Sequence, residues 1–143
     1  MNTQDGIALT GKLTISLNDE IVRETENLVV TAGKEWVTAR MKNTSTVMTH
    51  MAIGTGTVAA AIANTTLGTE LARQALTTSG GTVAGAVITF ATSYAAGTGT
   101  GAITEAAILN AASAGTMLAR TVFGVVNKGT LDTMTISWAV TIS

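Results

Sequence analysis

Residues 133–142, close to the end of the sequence, alternate between polar or small side chains and large apolar ones. The large apolar residues are Met134, Ile136, Trp138, Val140 and Ile142. Because a β-strand points successive side chains to opposite faces, a period of two places all five on the same face. The pattern predicts a half-buried strand whose Trp138 packs in a hydrophobic core.

The rest of the chain also favours strands. Threonine makes up about a fifth of the 143 residues and proline is absent. The branched Cβ of threonine packs well on a pleated sheet. Turn-forming clusters of glycine, threonine and asparagine separate short segments of strand-like sequence. These segments predict eight strands, at about 12–17, 27–30, 47–53, 69–76, 82–92, 102–109, 116–123 and 133–142.

One interval, 31–42, has helical spacing instead. Val37 and Met41 lie four residues apart beside Trp36, and Thr31 stands where a helix cap is expected. Eight strands, frequent turns and one short helix predict a mainly all-β fold, a β-sandwich of the jelly-roll type. The length predicts a single domain over residues 1–143.

Two segments are candidates for extended structure outside the body of the sandwich. Residues 1–10 are expected to form an N-terminal tail. Residues 77–101 contain several glycines, which specify the register of a strand only weakly. A projecting hairpin or arm over 77–101 is therefore the alternative to a regular strand at 82–92.

Charge and composition exclude several function classes. Eight Lys and Arg residues stand against nine Asp and Glu residues, so no excess of positive charge is available to bind nucleic acid. The beginning of the chain lacks the features of a signal peptide, and no apolar run reaches the roughly 18 residues of a membrane span. Neither secretion nor a membrane partner is expected. The absence of cysteine excludes disulfides, thiolate nucleophiles and cysteine-bound zinc.

The segment after Met51 has glycines at 54 and 56 and an alanine at 59, the spacing of a dinucleotide-binding turn. That turn requires a helix after the glycines and an acidic residue about 20 positions on. Glu70 lies 16 positions beyond Gly54, but Asn64 and two threonines interrupt the intervening segment. The context favours a glycine corner, that is, a turn between two strands in which Gly54 and Gly56 give the backbone conformational freedom. An enzyme using Gly54, Gly56 and Glu70 on a nucleotide or in hydrolysis is the less favoured alternative.

Glu105 is the most informative charged residue because it lies in an apolar segment, GAITEAAIL. A carboxylate among apolar neighbours is costly unless it is paired, and either Arg120 or Arg73 could supply the partner. We interpret Glu105 as half of a structural ion pair rather than as a catalytic acid. The single histidine, His50, has no ligand-like neighbours. No catalytic, cofactor-binding or metal-binding residue is predicted, and the chain is not expected to be an enzyme.

Four acidic residues near the start, Asp19, Glu20, Glu24 and Glu26, lack the ligand spacing of a calcium loop. We interpret them as charges on a solvated turn and at a strand edge, where they discourage unwanted strand pairing.

Two segments resemble a pattern found in structural proteins of tailed bacteriophages. The first is IGTGTVAAAIANTTLGTELARQAL, similar to the pattern IGxGxxAxxxxxTxLGxELxR. The second is ITEAAILNAASAGTMLARTVFGVVNKGTLDTMTISWAVTI, similar to a pattern near the C-termini of such proteins. Together with the length of the chain, they resemble the small head decoration, or cement, proteins that clamp the outside of an icosahedral shell.

The resemblance implies a function and partners. A decoration protein binds the outer surface of the phage head in the virion and stabilises it by bridging major capsid protein subunits, after assembly in the bacterial cytoplasm. It implies a homo-oligomer, with a dimer favoured over a trimer. Because similar segments occur in tail-fibre and baseplate components, a structural module of the tail is the alternative.

Overall fold

The computed structural model describes residues 6–143, which form two antiparallel five-stranded sheets and one helix. Strands account for 51% of the described residues and helix for 8%, so the prediction of a mainly all-β sandwich is confirmed. Sheet 1 has the strand order β2-β1-β10-β7-β6, and sheet 2 has the order β3-β9-β8-β4-β5. The strands are β1 (Leu9–Leu17), β2 (Glu20–Glu26), β3 (Leu28–Val29), β4 (His50–Gly54), β5 (Glu70–Ala75), β6 (Thr82–Ala84), β7 (Val87–Tyr94), β8 (Gly101–Leu109), β9 (Met117–Lys128) and β10 (Met134–Ile142).

The alternation at the end of the chain produces the centre of sheet 1. Strand β10 pairs with β1 on one side and with β7 on the other, so that Trp138 lies between Leu13 and Phe90. All three side chains are buried in the main core, and Trp138 has no exposed surface. Trp138 therefore occupies the core position that the period of two predicts.

Several strands that follow each other in the chain lie side by side in one sheet. Consecutive strands form hairpins within one sheet at β1–β2, β4–β5, β6–β7 and β8–β9. The structure therefore confirms the sandwich, and the jelly-roll type stays a prediction. At the turn between β1 and β2, Asn18 and Asp19 have positive φ angles of 51° and 67°, which return the chain directly beside β1.

Two of the ten strands are additional to the eight predicted. The acidic segment at 20–26, interpreted as turn and edge charges, is the complete edge strand β2. The segment 82–92 is divided by a turn at Gly85, whose φ is 58°, into the short edge strand β6 and the longer β7. The other predicted strands correspond to observed ones with shifted ends.

Residues 77–101 do not project from the sandwich. Strand β7 pairs with β10 along its whole length, and Phe90 and Tyr94 are buried in the core. The arm interpretation is therefore wrong, because the apolar side chains of β7 hold the segment in sheet 1. For the expected tail over 1–10, residues 1–5 lie outside the described residues, while Leu9 and Thr10 already belong to β1.

The predicted helix is confirmed as α1 (Thr31–Met41). Its N-cap is Val30 rather than Thr31, and no side chain caps it. Helix α1 packs against β9 at Gly33, where an added Cβ would lie 2.0 Å from the carbonyl oxygen of Leu118. Such a close approach requires glycine. The indole nitrogen of Trp36 donates to the carbonyl of Thr46, at 2.7 Å, and so holds the segment after the helix.

The two sheets differ in how their outer faces are covered. A second, smaller apolar cluster lies on the side of sheet 2 away from the main core, formed by Val30, Ala52, Leu67, Ala107, Leu109 and Met117. Residues 55–69, which connect β4 to β5, contribute Leu67 to it. We name residues 55–69 the glycine loop. Sheet 2 is thus buried on both faces, and the ion pair described next lies on its outer side.

Candidate functional site

Glu105 and Arg120 form a buried ion pair on the outer side of sheet 2. They come from the adjacent strands β8 and β9, and their side chains are 0% and 2% exposed. Two nitrogens of Arg120 donate to Oε2 of Glu105, Nη2 at 2.8 Å and Nε at 3.2 Å. This double contact holds the guanidinium and carboxylate in one orientation. Of the two arginines considered from the sequence, Arg120 is the partner.

Three backbone N–H groups of the glycine loop complete the surroundings of the carboxylate. Gly56 and Thr69 donate to Oε1 at 2.9 and 2.7 Å, and Gly68 donates to Oε2 at 2.9 Å. With the two bonds from Arg120, Glu105 accepts five hydrogen bonds. A buried carboxylate needs this degree of compensation because its transfer from water is otherwise costly.

The hydrogen bonds outweigh the effect of burial on the acidity of Glu105. Burial by itself would raise the pKa of the carboxyl group, because a low dielectric disfavours the charged form. The N–H groups of Thr69, Gly68 and Gly56 and the guanidinium of Arg120 stabilise the charged form, and the net result is a lowered pKa. Glu105 is therefore ionised at neutral pH, and its proton is not available for general acid catalysis.

The glycines of the corner are required by the close approach of this carboxylate. A Cβ added to Gly54 would lie 2.2 Å from the carbonyl oxygen of Thr69 and 2.5 Å from Oε1 of Glu105. A Cβ added to Gly56 would lie 2.5 Å from the same Oε1. The corner does bind an anion through backbone N–H groups, as phosphate loops do. The anion is the side chain of Glu105, so the N–H of Gly56 is already occupied.

Arg120 also fixes the outer part of the glycine loop. Its Nη2 donates to the carbonyl of Val58 at 2.9 Å, and its Nη1 donates to Oδ1 of Asn64 at 2.8 Å and to the carbonyl of Ala59 at 3.4 Å. Oδ1 of Asn64 also accepts from the N–H of Ala61 at 2.7 Å. One buried guanidinium thus connects the core of sheet 2 to a surface segment that has no regular secondary structure.

The side chains of this fixed segment point to solvent. Val58 is 77% exposed and Ile62 is 57% exposed, and the alanines around them carry no charge. Hydrogen bonds hold the backbone of this segment on its inner side. The carbonyls of Val58 and Ala59 accept from Arg120, and the carbonyl of Ile62 accepts from the N–H of Thr31 at 2.8 Å. The result is an apolar surface segment with a fixed backbone.

Arg73 lies elsewhere, because β4 separates its strand β5 from the strand of Glu105. It pairs with Glu70 at 2.7 Å in a partly exposed contact. Its Nη1 also donates to the carbonyls of Ala111 and Ala114, both at 2.9 Å. Arg73 therefore fixes the turn between β8 and β9, and the Glu70 carboxylate faces Arg73 rather than the glycine corner.

The remaining sequence candidate for chemistry is the single histidine. His50 is half-buried, and its Nδ1 lies 2.8 Å from the hydroxyl of Thr49. Among residues 6–143, no group of three or more His, Cys, Asp or Glu side chains is arranged to hold a metal ion. No helix in the described part of the chain is long and apolar enough to cross a membrane.

The open face of sheet 1 is a second candidate surface. The strand registers place the hydroxyls of β1, β10 and β7 in rows across this face, among them Thr14 opposite Ser137 and Ser16 opposite Thr135. Ser93 and Thr135 lie within hydrogen-bond distance at 3.1 Å. The charged residue on these rows is Lys12, which pairs with Glu24 of β2 at 3.7 Å. This surface can contact a partner with little desolvation of charge.

Three residues at the buried pair were missed by sequence reasoning: Asn64, Gly68 and Thr69. Gly68 has a visible signal, since it follows the glycine corner in the quoted segment and precedes Glu70. Asn64 and Thr69 have no such signal in the sequence. Asn64 acts through its side-chain amide inside a loop, and Thr69 acts through its backbone N–H.

The segments 53–76 and 103–142 meet at this pair. The first supplies Gly54, Gly56 and Gly68, and the second supplies Glu105 and Arg120. Residues nearly 50 positions apart are thereby joined, as in the bond from Gly56 to Glu105. Compared with protein-family models, curated proteins and solved structures, the chain matches none.

Proposed function

We propose that the protein is a virion structural protein, a capsid decoration protein that binds the outside of a phage head and bridges major capsid protein subunits. The observation that carries the proposal is the contact between the two segments with virion-like sequence. Their glycines, glutamate and arginine form one buried centre. The resemblance therefore involves residues that depend on each other physically, which supports a shared structural unit over a chance similarity of composition.

The surfaces of the sandwich support a binding role. The hydroxyl rows of sheet 1 and the apolar segment at Val58 and Ile62 carry few charges. Contacts of this kind are individually modest. A decoration protein works with them because many copies bind one shell, and each copy that touches two capsid subunits raises the effective concentration of the second contact.

The buried pair supports the same role through rigidity. Arg120 and Glu105 hold the glycine loop by hydrogen bonds from several directions. A loop that is already ordered loses less conformational entropy when it binds, so more of the contact energy remains as affinity. In the proposed function, the loop and sheet 1 contact the capsid or a second copy of the chain, and the homo-oligomer is a dimer rather than a trimer.

The proposal is tested by the place and number of the protein in purified particles. Heads and tails are separated, and the protein is quantified in each fraction by mass spectrometry with isotope-labelled peptides. A decoration protein is expected in the head fraction at a copy number comparable with that of the major capsid protein. Recovery in the tail fraction at low copy number would identify a tail-fibre or baseplate module instead. Absence from both fractions would overturn the virion proposal.

A further inference from the structure

The two edges of sheet 1 are very different. The edge strand β2 carries Glu20, Arg23, Glu24 and Glu26, and charges of this kind prevent another strand from pairing with it. The opposite edge strand, β6, has the sequence Thr-Val-Ala and carries no charge. In sheet 2, the edge strand β5 carries Glu70 and Arg73. Of these three edges, β6 is the one that carries no charged side chain.

Strand β6 is also open to solvent. All three of its residues are exposed, and Val83 is 69% exposed. On its inner side β6 pairs with β7, where Val83 lies opposite Ile88. On its outer side no strand of the described chain pairs with it, since β6 is the last strand of sheet 1. Its outward backbone groups are therefore available to a further strand.

An apolar cavity opens beside this edge. It has a volume of about 250 Å³ and lies between helix α1 and the β6–β7 hairpin. The main apolar residues that line it are Trp36, Val37, Val83, Ile88, Phe90 and Val140. Phe90 and Val140 belong to the main core, so the cavity is an opening into the sandwich. Val83 stands both on the free edge and in the wall of the cavity.

One positively charged side chain, Arg40, lies at the rim of the cavity. Arg40, in the last turn of α1, lines the cavity and donates through Nη1 to the carbonyl of Ser45 and to Oδ1 of Asn43. No carboxylate of the described residues forms a salt bridge with it. A partner that approaches this rim gains from a negative charge and loses from a positive one.

We propose that β6 and the adjoining cavity bind an extended acidic and apolar segment of another protein by strand addition. The backbone of the segment pairs with the free edge of β6. Because side chains of a strand alternate, every second residue of the segment points into the cavity beside Val83 and Trp36. These residues are apolar, and an acidic residue of the segment lies near Arg40. The site does not depend on the partner being a capsid protein.

The test begins with a displayed library of random peptides selected against the full chain, with counter-selection against a Val83→Lys variant. This substitution puts a charge on an exposed edge position without disturbing the core. We expect the enriched peptides to have apolar residues at alternate positions, at least one acidic residue and no proline between the apolar positions. The enriched peptide is then synthesised, and its dissociation constant is measured by calorimetry.

The matched control is Ile21→Lys, which places the same charge at a similarly exposed position, 61%, on the opposite edge of sheet 1. Val83→Lys is expected to weaken binding of the peptide about tenfold or more, while Ile21→Lys leaves it unchanged. Replacing the acidic residue of the peptide with lysine is expected to weaken binding at low salt more than at high salt. Amide shifts at Thr82–Ala84 are expected in NMR titrations.

Three results would overturn the proposal. The selection yields no peptide that discriminates against Val83→Lys, the enriched peptides show no alternation or acidic residue, or the titration shifts amides of β2 instead of β6. A fourth result would assign the site to a second copy of the chain. In sedimentation experiments without peptide, the unmodified protein would then dimerise and Val83→Lys would be monomeric. The position of the protein in particles is measured separately, so failure of this site leaves the virion proposal intact.

Discussion

A Cβ on Gly56 and the carboxylate of Glu105 cannot occupy the same space. An added Cβ would lie 2.5 Å from Oε1 of Glu105 and 2.8 Å from its Cδ, while the Gly56 N–H donates to that oxygen at 2.9 Å. The backbone approaches the carboxylate this closely because glycine has no side chain.

Gly56→Val is therefore expected to destabilise the protein by about 3 kcal/mol or more, since either the carboxylate or the loop must move out of its hydrogen-bonded position. The measurement is chemical denaturation followed by circular dichroism. Gly6→Val is the control, because a Cβ at Gly6 meets no atom within 4 Å. Equal stabilities of the two variants would contradict the close-contact explanation.

Glu105→Gln removes the negative charge and leaves the guanidinium of Arg120 buried without its counter-ion. Breaking a buried ion pair from one side costs about 3–5 kcal/mol in free energy of unfolding. Glu70→Gln is the matched control, since its ion pair with Arg73 is partly exposed. Exposed pairs contribute about 0–1 kcal/mol. A loss at Glu105→Gln no larger than that at Glu70→Gln would show that the buried pair is not what holds the glycine loop.

The stability of the protein is expected to fall in acid because of Glu105. Its folded pKa lies below its ordinary value of 4.5, so the unfolded chain binds the proton more readily. The stabilisation is fully present above that ordinary value and is lost as the pH falls through the folded pKa. The measurement is the free energy of unfolding as a function of pH, with Glu105→Gln as comparison.

Below pH 4.5, the ordinary pKa of Glu105, the free energy of unfolding is expected to depend less steeply on pH in Glu105→Gln than in the unmodified protein. The dependence does not vanish, because the pKa of Asp132 is also lowered, by the side chain of Asn18 and the N–H of Gly129. Identical slopes would mean that Glu105 does not titrate differently in the folded and unfolded states.

Tyr94 is the chain's single tyrosine, so its ionisation can be followed by absorbance without a mutation. Its side chain is buried, and its hydroxyl donates to the carbonyl of Met51. Burial, and secondarily the charge of Glu70, raises the pKa of Tyr94 above its ordinary value of 10.0. We expect phenolate absorbance to appear only when the protein unfolds, whereas the denatured chain titrates near 10.0. A phenolate signal with intact circular dichroism would contradict the buried position.

Side-chain alternation was sufficient to predict the sandwich. The five apolar residues of the central strand β10 and those of its neighbour β1 have a clear period of two, and the 31–42 interval has helical spacing. Strand β2 was not predicted. It is an exposed edge strand that contains Glu20, Glu24 and Glu26, and this composition is also typical of a turn. The apolar pattern does not predict which strands lie side by side, because local turns decide that.

The sequence could indicate that Glu105 needs a partner but could not choose between Arg120 and Arg73. The choice depends on strand order, since β9 is adjacent to β8 and β5 lies beyond β4. Nor could it reveal the donors from Gly68 and Thr69, because backbone N–H groups are identical in every residue except proline. The free-energy cost of burying a carboxylate is a property of one residue, whereas the hydrogen bonds that offset this cost depend on the whole fold.

The hydrogen bonds that hold the outer part of the glycine loop are made by backbone carbonyls and by the side-chain amide of Asn64. The side chains at 58–62 make none of these bonds. Substitutions at Val58, Ala59 and Ile62 therefore change the exposed surface without removing a bond that shapes the loop. The chain separates a part that must be kept for folding from a part that is free to vary. Sequences that keep the glycines, Asn64, Glu105 and Arg120 can present different surfaces on the same backbone, and binding specificity can diverge at little cost in stability.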